Sequence, residues 1–173
     1  MRASERSAVE PVVTAGSIVL RPVTAADDDL LLAVYASTRA EELSVVPWSD
    51  AERAAFLRMQ HAAQSQHYHR HFGGARFDVV EHGGLPVGRL YVDRRADEIR
   101  IVDIALLTEH RGRGIGSVLL GQLLEEAGAR GVAVRIHVEH ENPARRWYER
   151  LGFRVVEDQG VYRLMEWRAE PTR

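Results

Sequence analysis

The stretch that most constrains this chain is a strand-like run that breaks into a glycine-rich turn and then a helix. Glu98 to Leu107 (EIRIVDIALL) is rich in β-branched residues and reads as a strand covered on both faces. Arg111-Gly112-Arg113-Gly114-Ile115-Gly116-Ser117 follows it. A helix then continues to about Ala129, with Ile115, Val118, Leu119, Leu123 and Ala127 at helical spacing. Glycines at such a corner remove Cβ atoms, so a ligand can approach the backbone. The free N–H groups at the helix start point at an anion, and the helix dipole adds to the attraction. Arg111 and Arg113 add positive charge suited to phosphate oxygens, and pyrophosphate is the natural guest. Two familiar phosphate turns fail on spacing. The dinucleotide pattern needs glycine where Ser117 stands, and the nucleotide P-loop needs a lysine that is missing.

The rest of the chain supplies strands and helices around this corner. Ser17 to Val23 reads as a first strand. Thr24 with Asp27 opens a helix to about Ala40, and Ser49 with Glu52 opens a second to about Ser65. Ala75 to Val80 and Val87 to Val92 form a hairpin about the turn His82-Gly83-Gly84. Val132 to Val138 is a further strand, and Asn142-Pro143 starts a short helix with Asn as N-cap and Pro as first helical residue. Gly152 stops it, and Phe153 to Glu157 and Val161 to Trp167 close the chain as strands. The expected fold is α/β (α+β), with a mixed, mostly antiparallel sheet of six to seven strands and about four helices. Residues 1–16 read as a loose tail, 17–168 as one domain and 169–173 as a short C-terminal tail.

Composition removes several chemistries. The chain has 173 residues and no cysteine, which excludes disulfides, thiolate zinc sites and a cysteine nucleophile. A formal net charge of −2 gives no global field favouring nucleic acid. No apolar run approaches bilayer length, and Met1 to Pro11 has no secretory character, so a soluble cytoplasmic protein is expected. His67 and His71 stand four apart, but 61–77 offers no carboxylate to complete a metal set, and no metal is expected.

R-G-R-G-I-G resembles the Q/R-x-x-G-x-G/A element of the GCN5-related N-acetyltransferase (GNAT) family, with Arg111, Gly114 and Gly116 on its fixed positions. The later N-P-A-R-R-W-Y-E-R-L-G-F is similar to that family's N-x-x-A-x-x-x-Y-x-x-x-G-F region, with Ala144 one position early. The resemblance is specific over about 98–157 and looser over 17–97. It implies acetyl-CoA as co-substrate and direct acetyl transfer to a primary amine, with a small molecule or peptide as acceptor. The alternative is a non-catalytic acyl-CoA sensor or interaction module on the same fold. Neither nucleic acid nor membrane is an expected partner, and monomer and homodimer both remain open.

The resemblance also implies site residues. Backbone groups of Leu106, Leu107 and Thr108 would pair with the pantetheine arm. Arg111, Gly112, Arg113, Gly114, Ile115, Gly116 and Ser117 would take the pyrophosphate, and Asn142 and Tyr148 would also contact the cofactor. An amide of Leu106 or Leu107 would meet the thioester oxygen. Tyr148 is the candidate acid for the leaving thiolate, although its stripe (Ala144, Trp147, Tyr148, Leu151) also suits core packing. His137 and Asp103 are alternative bases, and a water relay would need neither. Tyr35, Arg39, Glu42 and Trp48, with Glu41 beside them, are expected walls of the acceptor pocket.

Overall fold

The computed structural model describes residues 17–170; the expected N-terminal tail and the last three residues lie outside that range. Within it, β1 (Ile18–Pro22) leads through a short 3-10 turn (Ala25–Asp27) into α1 (Asp28–Ser44), and α2 spans Asp50–His71. The hairpin strands are β2 (Arg76–His82) and β3 (Leu85–Arg94), followed by β4 (Glu98–Leu106). After a 3-10 turn (Thr108–His110) come α3 (Ile115–Arg130) and β5 (Ala133–Glu139), then α4 (Arg145–Arg150), β6 (Arg154–Asp158) and β7 (Tyr162–Trp167). The seven strands form one sheet in the order β1-β2-β3-β4-β5-β7-β6, in which only β4 and β5 run parallel. This is the mixed, mostly antiparallel sheet with four α-helices that the sequence led us to expect.

Local chemistry explains most element ends. Ser49 accepts from the Glu52 amide at 3.2 Å while the Glu52 carboxylate accepts from the Ser49 amide at 2.8 Å, a closed capping box at the start of α2. Thr24 and Asp27 make the same exchange before α1. Two expectations need correcting. Helix α2 runs six residues beyond Ser65, because its sheet-facing side is polar there and hydrophobic periodicity does not register it. Regular helix in α4 starts at Arg145 rather than Pro143. Asn142 still accepts from the Ala144 amide at 2.9 Å, so it caps a turn that leads into α4.

The two sheet faces differ. Ile99, Ile101, Val134, Ile136 and Met165 join Leu119, Leu120 and Leu123 of α3 and Tyr148 of α4 in one buried apolar cluster. Helices α1 and α2 cover the other face of β3 and β4, where Arg89, one residue before the core residue Leu90, points the opposite way.

Candidate active site

The site begins where strand pairing stops. Glu98 to Ile101 of β4 pair with Ala133 to Ile136 of β5, and both strands then continue without each other. The paired end is pinned by charge. Buried Glu98 accepts from Arg95 at 2.7 Å and Arg100 at 3.2 Å on one oxygen, and from Arg135 of β5 at 3.0 Å on the other. The open end is set by a bulge. The β3–β4 register shifts between Tyr91 and Val92, which leaves Val102 without an opposite residue. Bulges bend and twist a strand, which turns the end of β4 away from β5.

The backbone of that open end is oriented by its pairing with β3. The Leu107 amide donates to Val87 O at 2.9 Å, so Leu106 and Gly88 form a non-hydrogen-bonded pair. Leu106, and by alternation Ile104, therefore turn N–H and C=O toward the gap. Gly88 permits this close approach, since a Cβ there would lie 2.3 Å from Ala105 O. Leu107 and Thr108 do not share the arrangement. The Leu107 carbonyl accepts from the His110 amide and that of Thr108 from the Arg111 amide, closing the 3-10 turn. Of the amides expected to meet a thioester oxygen, only that of Leu106 faces the gap.

The glycine turn ends beside it. Gly114 is the N-cap of α3 at φ 87°, a left-handed conformation that disfavours side chains, and Gly112 has φ 69°. The first intrahelical bond runs from Val118 to Gly114 O, so the amides of Ile115, Gly116 and Ser117 are the helix's free N-terminal donors. The Ile115 side chain is wholly buried in the core. Arg113 is exposed at the turn. Arg111 instead donates to Leu106 O at 2.9 Å and to Ser37 Oγ of α1 at 2.8 Å. Trp147, which sequence reading left on a packing stripe, lies against the helix start. A Cβ on Gly116 would meet its ring at 3.1 Å, and its indole N–H donates to Ser117 Oγ at 3.3 Å.

Tyr148 is 4% exposed, in edge contact with Phe153. Burial first, and the charge of Asp103 second, raise its pKa, so the phenol keeps its proton. Asp103 lies on the α2 side of β4 and is tied twice through one oxygen, to Tyr68 Oη at 3.0 Å and to Arg89 Nη2 at 2.7 Å. Arg89 is 2% exposed and also donates to Gln64 Oε1 at 2.8 Å. The carboxylate is thus paired with a buried guanidinium through Oδ2. His137 is exposed on β5. Its Nδ1 lies 3.0 Å from Arg100 Nη1, a donor. Burial and the Arg100 charge lower its pKa, so the ring is neutral at pH 7, with Nδ1 engaged by Arg100.

The expected pocket walls separate. Tyr35 is buried and its ring lies 5.6 Å from that of His61 on α2. Arg39 stacks over Tyr35 and pairs with Glu42 at 3.0 Å and with Glu139 of β5 at 3.3 Å, bridging the gap from α1. Glu41 and Glu42 are solvent-exposed. Trp48 does not join this group. It packs on Phe56 and, with Glu52, Ala55 and Met59, lines a shallow apolar hollow of about 390 Å³. By helical spacing Phe56 and Met59 lie on the side of α2 opposite His61, Gln64 and Tyr68. The sequence does not single out Gln64, Tyr68 and Arg89, which gather around Asp103. Arginine inside the apolar run V-G-R-L-Y-V was the available signal.

Comparison with known proteins agrees with this geometry. The model of the acetyltransferase (GNAT) domain matches residues 67–155. Mycothiol acetyltransferase of Nocardiopsis dassonvillei is 33% identical over 120 residues, 67% of this chain and 33% of that protein. The [ribosomal protein bS18]-alanine N-acetyltransferase of Haemophilus influenzae is 37% identical over 67 residues, 38% of this chain and 46% of that protein. The chain thus spans a third to a half of these relatives. The crystal structure of PaiA N-acetyltransferase from Thermoplasma acidophilum in complex with coenzyme A superposes with a TM-score of 0.66 at 18% identity, covering 88% of this chain and 99% of that one. No helix among the described residues is long and apolar enough to cross a membrane. With the family model matching half the chain over the open strand, the glycine turn and α4, this protein belongs to the GNAT acetyltransferase family.

Proposed function

We propose that this protein transfers an acetyl group from acetyl-CoA directly to a primary amine on a small molecule or a peptide, acting in the cytoplasm as a monomer or homodimer. One observation carries the reading: β4 continues past its pairing with β5 with the Leu106 amide and carbonyl turned into the gap, next to the free amides of α3. The relatives' names, both acetyltransferases, support it.

Acetyl-CoA, when bound, supplies an acetyl group activated as a thioester. Its pantetheine amides suit the outward backbone of Ile104 and Leu106, which extends the sheet by one strand. Its pyrophosphate suits the amides of Ile115, Gly116 and Ser117, with Arg113 nearby and the positive end of α3 behind them. The Leu106 amide is the donor available to oxygen charge that develops during transfer. Leu106 O accepts from Arg111 here and keeps a second lone pair for a donor on the arm. Tyr148, protonated through the physiological range, is the proton source for the leaving sulfur.

Free-thiol release from acetyl-CoA, measured against polyamines, amino-acid amides, aminoglycosides and short peptides, tests the reading. Amine-dependent release supports it. Saturable binding with no release for any amine favours a non-catalytic acyl-CoA sensor.

A further inference from the structure

We propose that His61 is the general base that accepts the proton of the acceptor amine; this rests on the transferase reading above. As the nitrogen–carbon bond forms and the carbon–sulfur bond breaks, one proton leaves the nitrogen for the His61 imidazole. The departing sulfur takes up one proton, so amine and thioester become amide and thiol.

Two sets of contacts put His61 on the polar face of β4, next to its open end. The first runs along α2. His61, Gln64 and Tyr68 share one helix face. Tyr68 bonds Asp103, and Gln64 shares one Arg89 nitrogen with the same Asp103 oxygen, so this face of α2 converges on Asp103, three residues before Leu106. His61 continues the stripe one turn before Gln64. The second set runs through α1, which carries both Tyr35, in contact with the His61 ring, and Ser37, which accepts from the same Arg111 that holds Leu106 O.

The chemistry of the ring fits the role. Among the described residues, neither nitrogen of His61 has a hydrogen-bond partner, whereas His137 is held at Nδ1 by Arg100. The groups facing His61 are Asp28 and Tyr35 of α1, Arg89 of β3 and Asp103 of β4. Burial, then the Arg89 charge, lower its pKa against the smaller opposing pull of the two aspartates. A neutral imidazole at pH 7 is ready to accept a proton. This also gives the buried Arg89–Asp103 pair a purpose beyond stability, since it sets the potential around His61.

The test combines kinetics with a titration that needs no turnover. With the best amine of the panel, wild-type kcat/KM is expected to fall at acid pH with an inflection below the ordinary histidine value of about 6.5. His61→Gln and His61→Asn should each lower kcat by about 10²- to 10⁴-fold, abolish that inflection and leave the acetyl-CoA Kd within about twofold. His137→Gln should keep it. Nitrogen NMR of wild-type protein should show the His61 ring neutral at pH 7. A fully active His61→Gln enzyme with the inflection intact, or a ring charged at pH 7, overturns the assignment while leaving the transferase reading standing. Wild-type protein that releases no thiol with any amine overturns both.

Discussion

The two faces of this sheet are built on opposite rules. On the α3 side, β4 and β5 bury Ile99, Ile101, Val134 and Ile136 against leucines, and every one of these groups is apolar. On the α2 side, β3 and β4 carry a linked polar set: Arg89, Asp103, Gln64 and Tyr68. Burying charge is costly unless it is paired, and a buried pair seldom outperforms well-packed hydrocarbon. The apolar face packs as an ordinary core, while the polar face carries buried charge that packing alone does not require. Arg89 even leaves its Nε buried without a partner. The difference shows where the fold ends and the chemistry begins, since both faces meet at the same open end of β4.

Paired substitutions break or sharpen this contrast. The largest effect is expected for Arg89→Met, which strands Asp103 with only Tyr68 and should cost about 4 kcal/mol in denaturant unfolding. Replacing both Arg89 and Asp103 by apolar residues should restore most of that stability but not activity. Leu119→Ala on the opposite face should cost about 3 kcal/mol while leaving the acid inflection of the rate unchanged. If the double replacement remains active, the polar face is merely structural. Tyr148→Phe comes next, with kcat down about 100-fold and the acetyl-CoA Kd little changed. Because its pKa is raised, wild-type activity should show no limb from Tyr148 below the ordinary tyrosine range. The smallest effect is Ser117→Ala, which removes the long bond from Trp147 and should cost about 0.5 kcal/mol or less by thermal melting.

Sequence alone carried the architecture because its signals are local. The capping pairs Thr24–Asp27 and Ser49–Glu52, the alternation in β2 and β3 and the glycine turn each depend on residues a few positions apart. The left-handed N-cap at Gly114 and the start of α3 lie in one short segment, which is why the turn was legible. The polar face was not. Arg89 meets Gln64 and Asp103 from distant segments, and nothing in their spacing announces it. The extent of β4–β5 pairing was also hidden, because the bulge at Val102 is a property of the assembled sheet. His137 and Asp103 have the right chemical types for a base, and only their partners reveal that both are engaged. The loop joining the first two helices brings Trp48 near α1 in sequence, but Trp48 packs on Phe56 while Tyr35 meets His61 on another face of α2.

The gap between β4 and β5, ending at the amides of α3, is the proposed seat of acetyl-CoA. Calorimetric titration of acetyl-CoA into the wild-type protein and into Gly114→Asp tests it most directly. The wild type should show one saturable site per chain and the variant no measurable binding, because its side chain brings negative charge and an unfavourable backbone to the turn. A wild-type protein that binds no acetyl-CoA, or a folded variant that binds it as tightly, would contradict it.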